Sequence, residues 1–237
     1  MLSTSHTVLA QAPGPHSAFT GAANVPAVIC AANQHHRQRA AIERHIANGF
    51  RIAYQASITE FMPLLVGLGG HKIEAALGIR SGRAPMFVET YFDTSLPEAL
   101  SEHGLNCPRH RLAEIGNLYS ASSRYTMALL LLTATALFQQ RISVLVFTAT
   151  DALQRMMARS GLMLHYLTPA DESKLLNATA GNASQHWGSY YQTHPQVVAV
   201  KVADIIQLTL DNPSLRASFS PFASLSAVLS AELGAQL

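Results

Sequence analysis

Apolar and polar positions sort most sharply between residues 111 and 150. Residues 111–118 read as a strand, and Ser120-Ala121-Ser122-Ser123-Arg124 reads as a polar turn. Residues 125–140 carry no charge and are apolar on nearly every face, which predicts a buried core helix. Residues 142–147 are wholly apolar, as in a strand covered on both faces within a parallel or mixed sheet. Strand, helix and strand make a right-handed crossover unit. The carboxyl ends of its two strands are the default ligand crevice.

The flanking pattern is less regular. Residues 1–27 are rich in Ser, Thr, Ala, Pro and Gly, without a charge, and read as a flexible extension. Residues 32–48 form a helical pattern, with Asn33 as N-cap, Ile42 and Ile46 on one face, and Asn48-Gly49 as the stop. Residues 51–57 read as extended, and Thr59 to Leu65 as a short apolar loop punctuated afterwards by Gly67 and Gly69-Gly70. Residues 73–79 and 86–92 read as a hairpin, with Glu89 inside its second strand. A short helix over 96–103 has Pro97 in its first turn, and Cys107 to Arg111 make a basic approach to the central strand. Further on, helices are expected over 151–160 and 169–178, strands over 162–167 and 197–202, and a small-residue loop over 179–184. New elements start at Asn212-Pro213 and Ser220-Pro221, the latter an amphipathic helix carrying Phe222, Leu225, Leu229 and Leu233. The order predicts an α/β domain over residues 28–210 with one mixed sheet and flanking helices, then a helical tail over 211–237.

Composition narrows the partners. With 49% hydrophobic residues a sizeable core is available, and a net charge of +2 is too balanced for a nucleic-acid-binding surface. The 2 cysteines have neither metal spacing nor a disulfide framework, and no basic residue precedes an apolar run at the N-terminus, so a cytoplasmic protein is expected. His35, His36 and His45 lack the spacing of a helical metal site, and no metal is expected. A membrane span needs roughly 20 apolar residues, and Gln139-Gln140-Arg141 interrupts the charge-free run before that length.

One residue breaks the apolar centre: Glu114, a carboxylate inside a strand beside Gly116 and Asn117. Burial raises a carboxyl's pKa and makes it a general base. The alternative is a buried ion pair with Arg109 or Arg111. Gly116 marks either a β-bulge or a close approach. In a regular strand Glu114 and Asn117 face opposite sides, so a bulge is needed to bring them together. Asn117 can orient an acceptor or donate to an oxyanion, and Glu89 is a second carboxylate that could act as base.

Several short stretches resemble the thermostable haemolysin family of bacterial proteins. They are Phe61-Met62-Pro63, Phe87-Val88-Glu89-Thr90-Tyr91, Glu114-Ile115-Gly116-Asn117-Leu118, Phe147-Thr148-Ala149-Thr150, Trp187-Gly188-Ser189-Tyr190-Tyr191 and Pro195-Gln196-Val197. The resemblance spans residues 37–202, and the family's pattern is similar to the Gcn5-related N-acetyltransferases and the acyl-homoserine-lactone synthases. It implies an N-acetyltransferase-like mixed sheet with splayed central strands and an acyl-thioester donor lying between them. It implies catalysis by Glu114, Asn117 and Glu89, and donor binding by Leu118, Tyr119, Ser120, Ser122, Ser123, Arg124 and Thr148. The turn before the central helix lacks the glycine-rich loop that holds a pyrophosphate in those enzymes. The donor is therefore either acyl-CoA or an acyl-phosphopantetheine carrier protein, with no permanently bound cofactor. Phe61, Met62, Trp187, Tyr190 and Tyr191 would line the substrate site; Tyr190 or Tyr191 could supply the acid that residues 151–160, without a tyrosine, lack, but core packing with Trp187 is the favoured reading of the two. The function so implied is transfer of a fatty acyl group to the amine of a small acceptor. A membrane-active haemolysin and a non-catalytic acyl-binding module are the alternatives.

Overall fold

The computed structural model describes residues 27–178 and 186–236; the expected extension over 1–27, except Ala27, and the loop over 179–184 lie outside them. In chain order the elements are β1 (Val28–Ala32), α1 (Arg39–Tyr54), β2 (Leu64–Gly69), β3 (Ile73–Ser81), α2 (Leu96–Glu102), β4 (Leu112–Ser120), α3 (Ser123–Gln139), β5 (Val144–Ala149), α4 (Asp151–Ser160), β6 (His165–Pro169), α5 (Glu172–Ala178), β7 (Gln196–Lys201), α6 (Val202–Asp211), α7 (Pro213–Phe219) and α8 (Leu225–Gly234). The strands form one sheet in the order β1-β2-β3-β4-β5-β7-β6. β4 and β5 are parallel, and the other neighbours in that order are antiparallel.

Side-chain alternation divides the core between the two faces. Leu64, Val66 and Leu68 of β2 join Ala113 and Ile115 of β4 and Leu145 and Phe147 of β5 under α3. That helix is buried nearly all round because α6, α7 and α8 close over its outer side. Residues 211–236 thus send Phe222, Leu229 and Leu233 into the same core as α3, and Glu232 of α8 accepts the N–H of Ala31 on edge strand β1. The opposite face carries α1, with Ile42 and Ile46 on Leu65 and Ala76, and beyond it an aromatic and aliphatic layer over Leu112, Val146 and Ala199.

The central crossover matches the expectation, while the N-terminal half corrects several boundaries. The helix predicted over 32–48 begins at Arg39 and continues to Tyr54, so residues 51–54 are helical, not extended. Asn33 does not cap it; its side chain accepts the N–H of His35 in the preceding turn. Gly49 does not stop it: a Cβ there would strike the ring of Tyr119, so the glycine serves the close packing of α1 on β4. Leu64 and Leu65, expected in the loop over 59–65, instead open the fully buried strand β2, sheltered between α1 and α3. Phe87–Tyr91 is a 3₁₀ turn, not the second strand of a hairpin, and β3 pairs instead with β2 and β4. Finally, Val202 ends no strand; it opens helix α6, which the sequence pattern did not predict.

Candidate active site

The parallel pairing of β4 with β5 runs from Leu112↔Val144 to Ile115↔Phe147 and then ceases, although β4 continues to Ser120 and β5 to Ala149. Beyond Ile115 the two strands part, as the expected splay requires. A cleft of about 200 Å³ occupies the gap and reaches both faces of the sheet. On the α3 face it is lined by Ile115, Thr126, Leu130, Phe147 and Leu153; on the other by Tyr54, Met62, Arg80, Phe87, Glu114, Trp187 and Tyr190.

The bulge that accompanies the splay is one residue later than Gly116. Opposite β3, Gly78 pairs with Gly116 and Ala76 with Tyr119, so Asn117 and Leu118 together oppose Leu77. Asn117 takes the left-handed conformation at φ 50°, which asparagine tolerates better than most residues. Its Oδ1 accepts the N–H of Met62 at 2.8 Å. Gly116 and Gly78 have a different task. A Cβ on either would strike the Met62 side chain, so the cross-strand glycine pair forms a notch that Met62 fills. Arg39 fixes the same segment from behind, donating to the carbonyls of Met62 at 3.0 Å and Pro63 at 2.8 Å.

Glu114 is 1% exposed and lies two residues before Gly116, on the same face of β4. Its carboxylate accepts the N–H of Phe87 at 2.8 Å and that of Val88 at 2.9 Å, at the start of the 3₁₀ turn. Burial pushes its pKa up to about 7, outweighing those two donors and the positive charge of Arg80 across the strand pair; the charge of Glu89 adds to the rise. Neither expected arginine pairs with it. Arg109 holds Glu89 through both Nη atoms, and Arg111 donates to the carbonyl of Arg141 at 3.3 Å. Glu89 also accepts the N–H of Met86 at 2.7 Å. The Arg109 hydrogen bonds hold its carboxyl below the usual carboxylate range. Glu89 is not among the residues lining the cleft; it anchors the turn whose N–H groups hold Glu114.

Of the residues expected at the donor, Leu118, Tyr119, Ser120 and Thr148 line the cleft, whereas Ser122, Ser123 and Arg124 do not. Ser122 is the N-cap of α3, with its Oγ 3.5 Å from the N–H of Tyr125, and Ser120 Oγ donates to the Ser122 carbonyl at 2.8 Å. Ser123 is the first residue of α3, and the Arg124 guanidinium lies over the ring of Phe222 at 5.6 Å. Among the expected substrate residues, Phe61, Met62, Trp187 and Tyr190 line the cleft. Tyr191 does not; its hydroxyl meets that of buried Tyr91 at 2.7 Å. The aromatic segment is anchored to the end of α1. Gly188, at φ 56°, packs against the Tyr54 carbonyl where a Cβ would collide, and that carbonyl accepts the N–H of Ser189 at 2.8 Å.

Sequence reasoning missed Arg80, Tyr54 and Phe87. Arg80 follows an apolar run and faces Glu114 only through strand register. Tyr54 fell in a segment expected to be extended. It instead ends α1 and lines the cleft together with Thr150, the N-cap of α4 beyond β5. Burial pushes its pKa up to about 12. Among the described residues no cluster of three His, Cys, Asp or Glu could hold a metal ion, and no helix is long and apolar enough to cross a membrane.

Comparison with solved structures places this fold. The chain is similar to the AHL synthase LasI, at 15% identity and a TM-score of 0.51, covering 76% of this chain and 91% of that one. It is similar to FeeM, an N-acyl amino acid synthase from uncultured soil microbes, at 14% identity and a TM-score of 0.54, covering 80% and 97%. A third neighbour is BjaI, a CoA-dependent acyl-homoserine lactone synthase solved with SAM and isopentyl-CoA, at 10% identity and a TM-score of 0.53, covering 78% and 88%. At these identities the likeness is one of fold: a seven-stranded mixed sheet with flanking helices. No curated protein matches the chain in sequence. The thermostable hemolysin family model matches residues 32–206, from the end of β1 into α6, and the chain belongs to that family.

Proposed function

We propose that the chain is an N-acyltransferase that moves a fatty acyl group from an acyl thioester to the amine of a small acceptor. The observation that carries this reading is Glu114: a buried carboxyl with a pKa near 7, in the wall of a cleft that opens where two parallel strands part. A general base works best when its pKa lies near the operating pH. The donor's pantetheine arm enters the gap beside residues 116–120, where β4 has lost β5 as a hydrogen-bonding neighbour. Its acyl chain lies among Leu130, Phe147 and Leu153. The acceptor approaches from the other face. Glu114 removes the proton from its ammonium group, directly or through water, and the free amine attacks the thioester carbonyl. Asn117 presents its amide nitrogen to the developing oxyanion while its oxygen is held by Met62. The C–N bond forms, the C–S bond breaks, Tyr54, kept protonated by its burial, donates to the leaving thiolate, and the second proton that the nitrogen sheds as it becomes an amide restores Tyr54.

The donor is acyl-CoA or an acyl-phosphopantetheine carrier, which present the same arm and thioester; the solved neighbour BjaI holds isopentyl-CoA. Residues 28–210 act as the transferase domain in this reading, with the helices after residue 210 packed onto it. Lysis, to which the family name points, then follows from the product, since an acylated amine is a surfactant. Purified protein incubated with acyl-CoA and acyl-carrier panels plus cell extract should yield new acyl-amides by mass spectrometry. A complete panel that yields none, while the protein is folded, would sink the proposal.

A further inference from the structure

Two opposite charges face the cleft from neighbouring strands without meeting. Arg80 of β3 is the cross-strand register partner of Glu114 of β4, and both line the cleft. Yet among the described residues no ion pair or hydrogen bond joins them. Both oxygens of Glu114 are taken by the Phe87 and Val88 N–H groups. Arg80 Nη1 donates to the carbonyl of Pro85 at 3.1 Å, and its buried Nε has no hydrogen-bond partner. A buried donor left unpaired is costly, and an arginine is suited to a planar carboxylate because its donors form a fixed fork. The other available cations are committed elsewhere: Arg39 to the carbonyls of Met62 and Pro63, and Arg109 to Glu89.

We infer that Arg80 is the carboxylate-binding residue of the acceptor site, and that the acceptor is an amino acid whose carboxylate lies on Arg80 while its amine lies at Glu114. This rests on the acyl-transfer reading for the identity of the reacting group, but the charge pair is independent of it. An α-amino acid carries its two charges on groups bonded to one carbon, a short unit that matches a cation and a carboxyl on directly paired positions of adjacent strands. The guanidinium adjusts to bring Nε and a terminal nitrogen onto the incoming oxygens. A simple amine would leave Arg80 Nε without a partner.

Trp187, the single tryptophan of the chain, lines the cleft and reports binding without turnover. Its fluorescence would be titrated with an N-decanoyl amino acid and with the corresponding primary amide, which differ only in the carboxylate. The carboxylate form is expected to bind at least about tenfold more tightly, within the range of one charge-assisted contact. Arg80→Gln should abolish the preference, and Arg80→Lys, which keeps the charge without the fork, should retain part of it. Circular dichroism melts would confirm that each variant is folded; if Arg80→Gln is not, the lysine variant and the wild-type ligand pair still decide. Equal affinity for acid and amide, an Arg80→Gln loss equal for both, or no response to either ligand overturns the inference. A carboxylate preference lost in Arg80→Gln, in a protein that makes no acyl-amide, would keep the anion site and remove acyl transfer. Acyl-amide formation from decarboxylated amines as fast as from amino acids would do the opposite.

Discussion

The Oδ1 of Asn117 accepts the N–H of Met62 at 2.8 Å from a residue whose own backbone is left-handed, at φ 50°. That contact joins the bulge of β4 to the loop before β2, beside the notch that Met62 fills. Asn117→Ala should therefore lose twice, in backbone strain of about 1–2 kcal/mol and in an unpaired N–H worth about 1–3 kcal/mol. Asn117→Gly should lose the hydrogen bond alone. Urea unfolding should rank wild type above Asn117→Gly above Asn117→Ala; equal losses for the two variants would show that φ carries no cost here.

Met62 and Gly116 should behave as one unit. Gly116→Ala forces a methyl into the Met62 side chain and should destabilise by about 1–3 kcal/mol, the usual cost of overpacking. Combined with Met62→Ala, which vacates the notch, the same change should cost much less. A double-mutant cycle with coupling of about 0.5 kcal/mol or more is expected; strict additivity would mean that Gly116 answers to some other neighbour.

Glu114→Gln should cut turnover by roughly 10²–10⁴, the usual worth of a general base. Wild-type turnover should climb with pH through about 7 as the carboxyl ionises, and the variant should lose that limb. Stability should move the other way. The folded pKa lies above that of an unfolded glutamate, so the carboxyl's contribution is complete below the unfolded value and is lost as pH rises through about 7. The melting temperature of wild type minus that of Glu114→Gln should fall between pH 5 and pH 8; a flat difference would place the titrating group elsewhere.

Tyr54→Phe should lower kcat by about 10²-fold or more with donors that leave as ordinary thiolates. Thioesters of acidic thiols, which leave without a proton, should restore most of the rate. A uniform loss across both donor types would instead mean that the Tyr54 hydroxyl only braces the cleft wall it shares with Thr150.

Purified protein without an acyl donor should release no dye from phosphatidylcholine vesicles, because α3, the most apolar long helix, is enclosed by α6, α7 and α8. Release should appear when donor and acceptor are both supplied and Glu114 is intact. Donor-independent release that persists in Glu114→Gln would establish direct membrane action.

The sequence by itself determined the centre of the molecule. A charge-free helix between an interrupted strand and a wholly apolar one has little choice but to form a buried crossover, since local period and burial agree there. Glu114 stood out for the same reason: a carboxylate in such a strand violates the pattern that surrounds it. The N-terminal half was misread at Gly49, which answers to distant Tyr119 rather than to a turn, whereas Gly116 is the close approach that the sequence offered beside a bulge, with Met62 against it. Tertiary structure alone decided which groups Glu114 meets. Residues 86–92 are rich enough in aromatic and β-branched residues for a strand, but the carboxylate of Glu114 captures the N–H groups of Phe87 and Val88, and the Glu89–Arg109 pair pins the resulting turn. It likewise decided that Arg80 faces Glu114 and that Tyr54 and Thr150 line one cleft, because strand register and helix length bring together residues far apart in the chain.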